Sequence, residues 1–119
     1  MFKILLKIVP VVSILMAAQI QQPVSASEAF CIVKGASNEI LFRDDCIFKQ
    51  SGGNGSFSIE SPYGLIAGRA MISVSLTEPR VAQVRGLTTR GISSSWGTAT
   101  RSTSDPACWV GSDFVICAY

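Results

Sequence analysis

Four cysteines are the residues of this chain best placed to do chemistry, namely Cys31, Cys46, Cys108 and Cys117. An even number of cysteines in an exported chain indicates a disulfide framework, which persists in an oxidising compartment. Zinc is the rival interpretation, but the chain has no histidine and no Cys-x-x-Cys pair. The spacing also lacks the short motif that lowers a thiol pKa for redox catalysis. We therefore predict two disulfides, no metal and no cofactor.

The last fifteen residues predict how these cysteines pair. Two short apolar runs flank Gly111-Ser112-Asp113, which is a turn signal, so residues 105–119 are expected to form a hairpin. With Ser112 and Asp113 at the centre of the turn, Cys108 lies opposite Cys117, within reach of a disulfide. Of the three possible connectivities we favour Cys108–Cys117 with Cys31–Cys46. Trp109 is predicted to pack near the disulfide in a structural role.

Catalysis is not supported by the residue types present. Without histidine, a serine or cysteine nucleophile needs a lysine or a carboxylate as its base. Residues 1–26 resemble a secretory signal that is cleaved off. The remaining chain has two lysines, Lys34 and Lys49, and neither stands in a catalytic motif. Carboxylates are present, but no pair is singled out by its spacing. We expect the protein not to be an enzyme.

A candidate contact surface lies in residues 88–104, which are rich in Ser and Thr and contain no acidic residue. Arg90 and Arg101 are suited to holding a carboxylate or phosphate. Trp96, if exposed, is a residue type that anchors interfaces or stacks on a sugar. The structural alternative is that Ser and Thr line a solvated sheet face and that Trp96 is buried on the core. Arg90, Trp96 and Arg101 are the predicted partner-binding residues.

Residues 1–26 resemble a secretory signal, with a short basic start, an apolar run over residues 8–20 and small residues before Ala26. The apolar run is shorter than the ~20 residues that span a bilayer. We expect cleavage after Ala26, with Ala29 as the second choice, which leaves residues 27–119 as a single β domain with no membrane span. Lys3 and Lys7 leave with the signal, so ten basic residues become eight, against eight acidic ones. A neutral chain is a poor candidate for binding nucleic acid.

The elements that must position these residues are expected to be short strands. Residues 72–77 alternate apolar and polar side chains, with Ile72, Val74 and Leu76 on one face. Arg43-Asp44-Asp45 is interpreted as a polar turn, and the glycine-rich residues 50–56 as a hairpin connection. Residues 65–71 fit either a short helical turn or a strand. The predicted fold is all-β, a small antiparallel sandwich or barrel of roughly seven to nine strands, stabilised by two disulfides.

These features predict a small exported, non-enzymatic binding or inhibitor-like module of the periplasm or extracellular space. Its partner would be an envelope or extracellular protein or glycan, and the sequence leaves the oligomeric state open. The alternative is a structural or assembly protein of the cell envelope that acts through an edge strand. An exposed Trp96 flanked by Arg90 and Arg101 would favour the first, and a long unpaired edge strand without a pocket the second.

Overall fold

The computed structural model describes residues 26–119, so the predicted signal segment, apart from Ala26, lies outside the described residues. The described chain forms eight strands in sequence. They are β1 (Ala26–Lys34), β2 (Ile40–Ser51), β3 (Ser56–Glu60), β4 (Met71–Glu78), β5 (Val81–Leu87), β6 (Ser93–Arg101), β7 (Cys108–Gly111) and β8 (Val115–Ala118). Within this part of the chain there is no helix long and apolar enough to cross a bilayer.

The strands close into an antiparallel barrel in which each strand pairs with the next and β8 returns to β1. The prediction of an all-β fold is confirmed, and of the two predicted architectures the barrel is the one formed. The loops after β1, β3, β5 and β7 lie at one end of the barrel, which we call the upper end. The loops after β2, β4 and β6 lie at the lower end together with the C-terminus.

The barrel interior is filled with side chains. Along β4, Ile72 and Val74 are fully buried and Leu76 packs partly buried against the core, which confirms the predicted alternation. Ile66, in the loop after β3, is also fully buried and adds to this core. The remaining fully buried side chains come from several strands and include Val33, Ile59, Val84 and Ile116. A small barrel packed in this way is a solid core rather than a ligand container.

Both predicted disulfides are confirmed. Cys31–Cys46 joins β1 to β2, and both cysteines belong to the buried core. Cys108–Cys117 joins directly opposed residues of β7 and β8, in the predicted register. Trp109 is the next residue along β7, so its side chain points to the opposite face, into the barrel. It is only 3% exposed, which supports its structural role.

Two local predictions need correction. Arg43-Asp44-Asp45 is not a turn, because β2 runs unbroken from Ile40 to Ser51 and pairs with β1 through this polar stretch. Residues 61–70 form a loop with two isolated bridges, Ser61 to Gly64 and Ile66 to Arg69, rather than a helical turn or a strand. Ala67 and Gly68 both have positive φ between the residues of the second bridge, which ends any regular element there.

The C-terminal residue is held to the barrel by backbone and side chain. Tyr119 exchanges backbone hydrogen bonds with Phe30 of β1, at 2.9 and 3.0 Å. Its hydroxyl donates to Asp105 Oδ2 at 2.6 Å. This hydrogen bond is the main reason that the pKa of Tyr119 is raised above 10.0; desolvation and the charge of Asp105 add to it. The neutral phenol is therefore the form that the folded protein favours.

We expect Tyr119 to ionise at higher pH in the folded protein than in the unfolded chain. Because the raised pKa favours the neutral phenol, its stabilising effect is present below the unfolded pKa and is lost as pH rises through the folded value. Ultraviolet titration of a Tyr63→Phe variant, which leaves Tyr119 as the single tyrosine, measures this pKa directly. Asp105→Asn in the same background should lower it, and identical titrations of the two proteins would contradict the assignment.

Candidate functional site

Trp96 occupies a β-bulge near the upper end of β6. In the ladder with β5, Val84 pairs with Gly97 and Arg85 pairs with Ser95, so Trp96 is an extra residue without a partner. A β-bulge changes the direction in which the side chain of the extra residue points. Here the indole lies over Gly86, where an added Cβ would stand 2.8 Å from the indole Nε1. Gly86 therefore provides the space that the re-aimed ring occupies.

The indole of Trp96 is half-buried and has two close partners. The Phe114 ring meets it edge to face, with the ring centroids 5.6 Å apart and the planes at 62°. The Arg69 guanidinium lies over the indole at 5.6 Å from the ring centroid, a cation–π arrangement. Arg69 Nε is buried and has no hydrogen-bond partner, so the packing leaves one donor unsatisfied. Trp96 thus belongs partly to the core and partly to the surface.

A shallow cleft of about 300 Å³ opens beside this ring and is lined by Leu41, Ser95, Trp96, Asp113 and Phe114. Other exposed apolar side chains belong to the connections at this end of the barrel. Of the eight large apolar residues that are exposed in the described chain, five lie in the upper loops or at the start of β2. They are Ile40, Leu41, Tyr63, Leu65 and Ile92. We call Ile40, Leu41, Ile92, Trp96 and Phe114 the upper rim.

Arginines stand around the upper rim. Arg69 covers the indole, Arg85 pairs with Ser95 across β5 and β6, and Arg90 is exposed in the loop between them. Within residues 26–119 the ion pair present is Lys49 with Glu60, so none of these arginines is neutralised by a carboxylate at contact distance. Asp113 lines the cleft, and Glu39 directly precedes Ile40 of the same apolar surface.

The three predicted partner-binding residues are not assembled into one site. Arg90 and Trp96 belong to the upper end, whereas Arg101 ends β6 at the lower end. Five residues of strand separate Trp96 from Arg101, which corresponds to about 17 Å. Arg101 lies instead over the ring of Trp109, at 5.8 Å from its centroid. Their roles in partner binding stay predictions, and Arg101 requires a separate site.

Leu41, Arg69 and Phe114 line or cover the cleft and were not anticipated from the sequence. Leu41 and Arg69 come from distant parts of the chain and reach Trp96 only when the barrel closes. Phe114 had a local signal, because its ring occupies the space that a Cβ on Gly111 would fill. A glycine facing the aromatic residue three positions later in a hairpin is therefore a detectable sign of such packing.

The described residues contain no group of three or more His, Cys, Asp or Glu side chains arranged to hold a metal ion. All four cysteines are in disulfides and do not act as thiolates. What the upper rim offers is apolar area, the half-buried indole of Trp96, a few hydrogen-bonding groups and unpaired guanidinium groups, which are the components of a recognition surface.

By its fold the protein is a small, disulfide-bonded, eight-stranded antiparallel barrel with a filled interior. Comparisons with protein families, with curated proteins and with solved structures find nothing that matches the chain significantly.

Proposed function

We propose that the protein is a small exported, non-enzymatic binding module of the periplasm or extracellular space, and that the upper rim contacts a protein partner. The observation that carries this proposal is the half-buried Trp96 at the edge of an apolar cleft, surrounded by unpaired arginines. The partner would present apolar side chains next to acidic ones. Interfaces commonly use tryptophan and arginine as anchors in this way.

The filled barrel supports a surface role. Since the lumen is occupied by core side chains, a ligand must bind outside it, on the wall or at an end. Two disulfides in a small domain are typical of proteins that work in an oxidising compartment. They also hold the strands in place, which lowers the ordering cost of binding. These properties suit a rigid recognition module.

The test is capture of a partner from the native envelope or extracellular fraction, followed by binding measurements with the captured protein. We expect Leu41→Ser combined with Ile92→Ser to weaken binding at least about tenfold, since both remove apolar contact area. These side chains are 47% and 60% exposed, so the fold should tolerate the change. Arg90→Glu should weaken binding further by repelling acidic residues of the partner.

Val110→Ser is the matched control. Val110 is 40% exposed, and its alternation with Trp109 places it on the outer wall of β7 rather than at the upper rim. Binding should be unchanged by this substitution. If the Val110 variant loses binding as strongly as the rim variants, or if all of them bind normally, the upper rim is not the contact surface.

A second candidate function is assembly through β-strand addition, and one observation favours it. β3 pairs only with β2 residues from Ile47 onwards, so Ile40 to Cys46 have no strand neighbour on that side. An unpaired stretch of this kind is a template for a partner strand. If variants with the upper-rim substitutions still capture the partner, that result would favour strand addition. The upper rim is preferred because closure of the barrel leaves no strand unpaired along its whole length.

A further inference from the structure

The turn between β4 and β5 holds an arginine where glycine is expected. Pro79 and Arg80 connect Glu78 to Val81, and Arg80 has φ of +70°. Proline followed by a residue with positive φ is the pattern of a type II turn, whose third position favours Gly or Asn because it is strained for other residues. Non-glycine residues with positive φ cluster at functional sites, so the surroundings of the Arg80 side chain are of interest.

Hydrogen bonds bring Arg80 next to Arg101. The Arg80 Nη2 donates to the carbonyl oxygen of Arg101 at 3.1 Å, and the Arg101 backbone N–H donates to the carbonyl oxygen of Arg80 at 3.0 Å. Arg101 Nε donates to the Pro106 carbonyl oxygen at 2.7 Å, and its guanidinium lies over Trp109. Backbone carbonyl groups therefore orient both arginine side chains, and the ring of Trp109 also orients that of Arg101.

Both arginines line one cleft of about 430 Å³ at the lower end of the barrel. Its other lining residues are Asn54, Leu76, Thr77, Glu78 and Pro79. Glu78 is the single acidic residue among them, and neither arginine forms an ion pair in the described chain. A second cleft, of about 220 Å³, shares Arg101 and is lined by Phe48, Phe57 and Trp109. Arg101 therefore borders both clefts of the lower end.

We propose that Arg80 and Arg101 form an oxyanion-binding site at the lower end, which takes a carboxylate or phosphate group attached to an apolar carbon skeleton. A guanidinium group matches the planar oxygens of a carboxylate or the oxygens of a phosphate with two parallel hydrogen bonds. Leu76 and Pro79, which line the same cleft as the two arginines, would contact the carbon skeleton. This site is separate from the upper rim and does not depend on the upper rim's role.

The experiment is a titration of the ¹⁵N-labelled protein with inorganic phosphate and, separately, with acetate, followed by NMR. We expect the largest shifts at Arg80, Arg101 and Trp109, and the comparison of the two ions identifies the preferred oxyanion. Arg80→Gly should weaken binding at least tenfold while leaving Tm close to that of the wild type, because relief of the strained φ offsets loss of the hydrogen bond from Arg80 Nη2 to the Arg101 carbonyl oxygen. Arg101→Lys should also weaken binding, since lysine keeps the charge and loses the planar geometry.

Arg43→Gln is the matched control, because it removes an exposed arginine of β2 that lines neither lower cleft. It should bind the ion as the wild type does. Equal shifts at Arg85, Arg90 and the lower-end arginines, or unchanged affinity in Arg80→Gly, would overturn the proposal. A fall in Tm for Arg80→Gly would show that Arg80 stabilises the turn, and that result would also contradict the explanation given for its strain.

Discussion

Reducing both disulfides is expected to unfold the barrel under conditions where the oxidised protein is stable. Cys31 and Cys46 are 15 residues apart, and Cys108 and Cys117 are 9 apart. From the chain entropy of the closed loops, the two bridges contribute about 3 and about 2.6 kcal/mol. Their sum is comparable to the whole free energy of unfolding of a small domain, which is roughly 5–15 kcal/mol.

Thermal unfolding with and without reductant measures the combined effect of the two disulfides. Two double variants, each lacking one disulfide, measure the contribution of each bridge separately. Cys31→Ala with Cys46→Ala should lower the free energy of unfolding slightly more than Cys108→Ala with Cys117→Ala, because its loop is longer. The first pair also lies in the core, where loss of the sulfur atoms reduces packing. A protein whose Tm is unchanged by full reduction would show that the barrel is held by its packing alone.

The parts of the fold that could be predicted are those fixed by neighbours in the sequence. The hairpin of β7 and β8 follows from two apolar runs around a turn signal, and its register places Cys108 opposite Cys117. The alternation of β4 follows from the two-residue period of a strand. In both cases a few adjacent residues contain the whole signal, so no knowledge of the rest of the chain is needed.

Closure of the barrel could not be predicted in the same way. The pairing of β8 with β1 joins the two ends of the described chain, and no local pattern specifies it. The unbroken β2 was missed because Arg43-Asp44-Asp45 has the composition of a turn. These residues are tolerated in a strand because their side chains are exposed while β1 satisfies the backbone on one side.

The candidate site was predicted in part because composition identifies residue types but not their positions. Trp96 and Arg101 fall in one acid-free stretch, yet the length of β6 puts them at opposite ends of the barrel. The bulge at Trp96 is what turns its ring over Gly86, and a bulge changes the face of a side chain without any clear sequence signal. The sequence therefore suggested one surface where the structure has two.

The filled interior links the fold to both proposals. A lumen packed with isoleucine and valine leaves the two ends as the places where loops from several strands meet. At the upper end these loops present apolar side chains, and at the lower end they present two arginines beside aromatic rings. The two ends therefore differ in chemistry, and the substitutions at Leu41, Ile92 and Arg90 change the upper end, whereas those at Arg80 and Arg101 change the lower end.

Trp109→Ala is expected to be the most destabilising single substitution in the barrel, with a loss of about 3–5 kcal/mol. The indole is 3% exposed, packs in the core and supports the Arg101 guanidinium. Its removal would leave a cavity in the barrel interior next to β7 and β8, which have only four residues each. Chemical denaturation followed by circular dichroism measures the loss without depending on tryptophan fluorescence.

Trp109→Phe and Trp96→Ala are the comparisons that make this result specific. Phenylalanine fills most of the indole's space, so Trp109→Phe should lower the free energy of unfolding less than Trp109→Ala does. Trp96→Ala should also lower it less, because the Trp96 ring is only half-buried and lines the upper cleft. Equal losses at the two tryptophans would mean that Trp96 is a core residue like Trp109, and the upper rim would then lose the residue on which its proposed function depends.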